Sequence, residues 1–197
     1  MTTPATRRLF VALPLPEEVL QNIRRLQDEI RRHFPKARFT RPEGIHLTLF
    51  FLGATAEERL PSVVDALRSP GGGLAPFTLR AGGLGVFPSP RRARVLWLGV
   101  GGEGGAMENL HLLEGRVREA LASLGFPPEN RDFSPHLTLA RFRFSPHPGA
   151  LEEALAAFAD RRAGEWLCAR MNLYESLLRP GGAEYRVLET FSWDGNA

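Results

Sequence analysis

The stretch His46-Leu47-Thr48-Leu49-Phe50-Phe51-Leu52-Gly53 and its later echo His136-Leu137-Thr138-Leu139-Ala140-Arg141 decide how this chain folds. Threonine, leucine and phenylalanine favour strands, and alternation puts each histidine and threonine on one face with the leucines on the other. A histidine and a hydroxyl two residues apart on one face set an acid–base group beside a hydrogen-bond donor. The second copy begins close to half a chain length after the first. The chain therefore reads as two halves that each donate one histidine to a shared site.

The flanking elements repeat in the same order. Leu9–Leu13 is a short apolar strand ended by Pro14. Pro16, Glu17 and Glu18 then start a helix, with proline in the first turn and carboxylates near the positive end of the dipole. Val19, Leu20, Ile23, Leu26, Ile30 and Phe34 recur at steps of three and four and make its apolar face. After the first motif, a helix carries Leu60, Val63, Val64 and Leu67, with Pro61 close to its start. Gly71–Gly73 form a loop, and Phe77–Phe87 and Val95–Val100 are strands flanking the turn Pro88-Ser89-Pro90-Arg91. In the second half, Gly101–Gly105 read as a loop. Leu110, Leu113, Val117, Leu121 and Leu124 then line a helix closed by Gly125. The second motif is followed by a helix from about Pro148 through Phe158, and Trp166–Leu178 and Tyr185–Trp193 are the last two strands. This order predicts an α+β fold, bilobal and pseudo-two-fold. Residues 1–197 form a single domain of two lobes, a first repeat over about 8–94 and a second over about 95–194. Two mostly antiparallel sheets face a central cleft, with the helices outside.

Composition narrows the chemistry. The 197 residues are 43% hydrophobic and 24% charged, which is ordinary for a globular chain. The single cysteine, Cys168, excludes an intrachain disulfide and a cysteine-cluster zinc site, and its apolar strand context makes it a buried, inert thiol. No apolar run approaches the roughly 20 residues of a membrane span, and the N-terminus lacks a signal-peptide core. A soluble, cytoplasmic protein that does not engage membranes is expected, and it is read as a monomer. The formal charge is +3 and the isoelectric point about 9.7, with Lys36 the only lysine. Arginine's fork suits phosphate oxygens. A GC-rich genome would produce the same excess, so charge supports a phosphate-bearing partner only weakly.

Two convergent histidines suit in-line displacement at phosphorus. One neutral imidazole takes a proton from the attacking oxygen while the other, protonated, gives one to the leaving oxygen. An unperturbed pKa near 6.5 lets histidine hold either form at neutral pH. The threonine hydroxyls would hold non-bridging oxygens, and an arginine could balance their charge. No third ligand accompanies the histidines, so the chemistry is expected to use no metal and no cofactor.

The paired His-x-Thr-x strings resemble the signature of the two-histidine (2H) phosphoesterases. The fuller strings HLTLFFLG (46–53), FPSPRRARVLWLGV (87–100) and RDFSPHLTLAR (131–141) resemble the RNA 2′,3′-cyclic phosphodiesterase branch, also called 2′-5′ RNA ligases. The resemblance runs from the Leu9–Leu13 strand to the last tryptophan. It implies metal-free opening of a terminal 2′,3′-cyclic phosphate to a 2′-phosphomonoester, with reverse 2′-5′ ligation open to the same site. His46 matches the general acid that protonates O3′ and His136 the base that activates water. Thr48 and Thr138 match phosphate-holding threonines, Arg141 a phosphate-contacting arginine, and Phe51 an aromatic that stacks on the nucleobase. Arg141 and Phe51 both stand five residues beyond a histidine. A regular strand turns that position to the opposite face, so both assignments require a bulge, a strand end or the span of the nucleotide to intervene. A solvated sheet edge is the alternative for Arg141, and a core position for Phe51.

Arg91, Arg92 and Arg94 form a basic turn placed to receive an RNA backbone, a plain charged hairpin tip being the alternative. Arg131, five residues before the second motif, is a candidate of the same kind. His33, His111 and His147 are assigned no role. The expected partner is RNA ending in a 2′,3′-cyclic phosphate, tRNA fragments included, or a small cyclic nucleotide. Alternative substrates are 2′-5′ oligonucleotides and small cyclic phosphates such as ADP-ribose 1″,2″-cyclic phosphate. A rival of another class is a nucleotide- or RNA-binding module without turnover, against which both intact histidine–threonine pairs speak.

Overall fold

The two histidine strands are neighbours at the middle of the molecule. The computed structural model describes residues 5–127, 132–179 and 182–195. In it, β1 (Thr6–Leu13), β2 (Arg38–Phe39), β3 (Leu47–Ala56), β4 (Phe77–Phe87), β5 (Val95–Gly102), β6 (His136–Arg141), β7 (Arg162–Cys168), β8 (Arg170–Arg179) and β9 (Gly182–Ser192) make one antiparallel sheet. Its order is β7-β4-β5-β6-β3-β1-β8-β9, with β2 added beside β6. β2 apart, four strands lie on each side of the β3–β6 junction, where the ladder is the single residue pair Leu47 with Leu137. The two expected sheets are thus two four-stranded halves that run into each other at the histidine strands.

The halves are interleaved along the chain. β4 to β7 form one of them as a contiguous run, whereas β1 and β3 are completed by β8 and β9. The Trp166–Leu178 stretch, expected as one strand, is therefore two. β7 pairs with β4 and β8 with β1, and the chain passes from one half to the other at Ala169. Neither glycine nor proline marks that break. It is held by a backbone hydrogen bond from Trp193 N–H to the Ala169 carbonyl, 2.9 Å. The predicted Gly101–Gly105 loop is also shorter than expected, because β5 continues through Gly101 and Gly102.

Helices α1 (Glu17–Arg31), α2 (Leu60–Ala66), α3 (Ala106–Ser123) and α4 (Pro148–Ala157) follow the expected positions. α1 buries Val19, Ile23, Leu26 and Ile30, its predicted apolar face, with Glu17 and Glu18 in the first turn and Arg31 in the last. Among these apolar residues sits Gln27, only 3% exposed. Its Nε2 donates to the carbonyls of Thr40 and Leu139, at 2.9 and 3.0 Å. A buried amide is tolerated because its donor nitrogen reaches two backbone carbonyls. The leucines of both motifs, Leu47, Leu49, Leu137 and Leu139, enter a core cluster that spans both halves. Cys168 lies in that core, and burial pushes its thiol up to about 12. No described helix is long and apolar enough to cross a membrane.

Candidate active site

The Leu47–Leu137 pair fixes the geometry of the motifs. Continued by one residue in each direction, an antiparallel register sets His46 across from Thr138 and Thr48 across from His136. The two leucines are buried, and the histidines and threonines beside them are half-buried on the opposite face. Each imidazole therefore stands beside the other strand's hydroxyl, about a pseudo-two-fold axis through the leucine pair.

Both strands carry a bulge three residues after the histidine. On β3, Val11 pairs with Phe50 and Ala12 with Thr48, so Leu49 is the extra residue. On β6, Leu96 pairs with Ala140 and Trp97 with Thr138, so Leu139 is the extra one. Two consecutive buried residues follow each threonine, Leu49-Phe50 and Leu139-Ala140, and alternation then resumes one step out of phase. The bulges turn the fifth position back to the histidine face, where Phe51 and Arg141 are exposed. The Leu139 carbonyl at the second bulge is the one taken up by Gln27 and by Thr40 N–H (2.8 Å). A buried residue of α1 therefore pins the kink that orients Arg141.

The two histidines sit in unlike surroundings. The His46 ring stacks on Phe10 at 4.6 Å and on Tyr174 at 5.9 Å, and Tyr185 meets it edge-on at 5.0 Å. Burial among these rings pushes the imidazole down to about 4, partly opposed by a hydrogen bond to the Gly44 backbone and reinforced by His136. His136 packs edge-on against Phe87 at 4.9 Å and lies 6.4 Å from Trp97. Its Nδ1 donates to the Ser134 carbonyl at 2.7 Å. Each ring is thus tied to backbone two residues upstream. Tyr174, whose hydroxyl accepts from Asn172 Nδ2 at 2.9 Å, is held above its usual range by burial.

A cavity of about 340 Å³ lies beside β3, lined by Thr48, Phe51, Phe87 and His136 and also by Asp132 and by Glu114 and Arg118 of α3. The other end of the site is cationic. Arg141 pairs across the ladder with Arg38 of β2, and both are exposed. Like charges directly opposite are unfavourable, so such a pair suits an anion between or above them. Arg91 and Arg92 are exposed in the short 3-10 turn Pro90–Arg92, just beyond the Phe87 that covers His136. Arg131 lies outside the described residues. Sequence reasoning missed Arg38, Phe10, Tyr174, Tyr185, Phe87 and Trp97. They converge only through strand pairing, and no local pattern marks them.

Gly85 makes room for this packing. A Cβ there would stand 2.1 Å from the Trp97 indole, whose ring is 5.1 Å from Phe87. Gly85→Ala is expected to displace Trp97, costing about 1–3 kcal/mol of stability and slowing any reaction that depends on His136. Thermal unfolding checks this, and Trp97→Phe in the same background, which removes the clashing atoms, should recover most of the lost Tm.

The chain is similar to known proteins along most of its length. A family model described as LigT like phosphoesterase matches the chain twice, over residues 13–97 and 102–185. An RNA 2′,3′-cyclic phosphodiesterase of Methanothermobacter thermautotrophicus is 32% identical over 184 residues, spanning 93% of this chain and 97% of its own. A protein of the same name from Thermus thermophilus is 34% identical over 190 residues, spanning 95% and 91%. Among solved structures, a Thermus thermophilus protein superposes with a TM-score of 0.74 at 32% identity, over 96% of this chain and all of the other. E. coli LigT complexed with 3′-AMP superposes with a TM-score of 0.74 at 26% identity, over 96% and 99%.

Proposed function

The chain belongs to the LigT-like phosphoesterases, and from that premise we propose that it opens 2′,3′-cyclic phosphates at RNA ends to 2′-phosphomonoesters. The observation that carries this reading is the register at Leu47–Leu137, which sets two histidine–threonine pairs side by side on one face. His136 takes a proton from water as its oxygen attacks phosphorus. The P–O3′ bond breaks, and His46 delivers a proton to O3′. The hydroxyls of Thr48 and Thr138 hold the non-bridging oxygens, and Arg141 with Arg38 balances their charge. Phe51, on the cavity wall beside His136, offers a face to the nucleobase, a contact worth about 1–3 kcal/mol. Arg91 and Arg92 lie close enough along the chain to Phe87 to meet phosphates leaving the site. A 5′-hydroxyl in place of water would undergo the same displacement and form a 2′-5′ bond, so ligation needs no further group.

The test is incubation with an RNA ending in a 2′,3′-cyclic phosphate, in excess chelator, with the product identified by phosphorus NMR. A 2′-phosphate formed without added metal is expected. A 3′-phosphate would remove O3′ as the leaving group, and activity that returns only with metal would replace the paired-histidine mechanism.

A further inference from the structure

The cleft faces of the two halves differ in a way the paired histidines do not explain. On the first half that face is aromatic, with Phe10, Phe51, Tyr174 and Tyr185 around His46. On the second half Phe87 and Trp97 stand beside His136, but the row that runs from His136 across the neighbouring strands is bare. His136 pairs across the ladder with Gly99, Gly99 with Gly82, and Gly82 with Arg162. Directly opposed residues share a face, so this row crosses three strand spacings of about 4.8 Å without a side chain until Arg162. The next row is Gly101, Arg80 and Glu165. A Cβ on Gly101 would lie 3.5 Å from Arg80 Nε, and one on Gly82 would lie 2.8 Å from the Arg161 carbonyl oxygen and 3.3 Å from Arg162 Cγ. Both arginine side chains therefore lean over the glycines. A cavity of about 330 Å³ occupies this floor, lined by the three glycines, Arg80, Arg161 and Arg162, and also by Asp160.

We propose that this trough carries the RNA strand upstream of the cyclic phosphate, with Arg80 and Arg162 contacting its phosphates. The inference rests on the proposed phosphodiesterase reading, because Gly99 on the trough floor is the ladder neighbour of His136, so a strand held there runs toward the group that His136 would meet. A sheet face lacking side chains forms a channel one side chain deep, as a ribose–phosphate backbone requires. The stacking half holds the terminal nucleoside and the glycine half guides the chain behind it. Arg162 has no carboxylate partner among the described residues. Arg80 pairs with Glu103, which is 80% exposed, and Arg161 pairs with Glu29 at 2.7 Å. Exposed pairs of this kind are weak enough to exchange for phosphate.

The experiment compares a single-stranded RNA oligonucleotide ending in 2′,3′-cyclic phosphate with a mononucleoside 2′,3′-cyclic phosphate. Arg80→Gln and Arg162→Gln are each expected to lower kcat/KM on the oligonucleotide roughly tenfold and to reduce the salt dependence by about 0.7 per lost contact. Turnover of the mononucleotide, which does not reach the trough, should be unchanged and shows that the variants fold. Gly101→Val, which fills the floor without changing charge, should act like the arginine variants. Equal losses on both substrates, or none on the oligonucleotide, overturn the inference. Failure of the unmodified protein to hydrolyse either substrate would instead refute the proposed function. Fluorescence anisotropy of a 2′-phosphorylated RNA with the same variants then reads the trough without turnover, and arginine-independent binding would overturn it.

Discussion

Alanine at His46 or at His136 should reduce turnover of a 2′,3′-cyclic phosphate by about 10²–10⁴-fold, the usual worth of one positioned acid or base. Combining both substitutions should cost less than the product of the two, since acid and base act in one displacement. The pH dependence carries more information. Burial holds His46 near 4, so at neutral pH its ring is uncharged. An acid must be protonated, and the anionic phosphate supplies the opposite charge that favours the imidazolium and raises its pKa. The His46 limb should therefore lie near pH 4 in kcat/KM, which reports the free enzyme, and move upward in kcat, which reports the complex. Binding of a 2′-nucleotide between pH 6 and 7 (the range around histidine's ordinary pKa of about 6.5,) should be accompanied by proton uptake. Calorimetry in buffers of different ionisation enthalpy measures it. Binding without uptake would leave His46 neutral in the complex and assign it the base role, with His136 as acid.

How far the site could be read in advance follows from where its parts come from. The motifs predicted their own strands because the histidine–threonine and leucine faces alternate, and the helices because their apolar residues recur at three and four. The bulges left one trace only, the adjacent apolar pairs Leu49-Phe50 and Leu139-Ala140 directly after the threonines. No glycine marks them, since their stability comes from elsewhere, in one case from Gln27 of α1. The passage at Ala169 was hidden for the same reason: what divides Trp166–Leu178 is the choice of partner strand, β4 or β1, and pairing is not a local property. The aromatic wall around His46 joins Phe10, Tyr174 and Tyr185, which three strands bring together from both ends of the chain. Gly101 looked like part of a loop because glycine is usually a turn signal. Here it keeps a strand face empty.

Valine at Thr48 or Thr138 tests the other half of the machinery, and its effect should approach that of the histidine changes. Each hydroxyl is placed across the ladder from the opposite histidine, so a phosphate between the rings would present its non-bridging oxygens to the threonines. Loss of one preorganised donor to a developing charge typically lowers kcat by about 10²–10³-fold. Valine keeps the volume and the β-branched shape that suit a half-buried strand position, so thermal unfolding should change little. Serine keeps the hydroxyl and should recover most of the rate despite losing the methyl. The loss should fall on kcat more than on KM, because negative charge on these oxygens and the demand for the hydroxyls grow together toward the transition state. Pseudo-symmetry makes the two threonines a built-in comparison. Thr48 also lines the 340 Å³ cavity with Phe51 and His136, so Thr48→Val should disturb mononucleotide binding more than Thr138→Val does. Full activity in both valine variants would mean that the phosphate sits outside the space between the two motifs, and a rate restored by serine at only one position would assign the oxygen contact to that half alone.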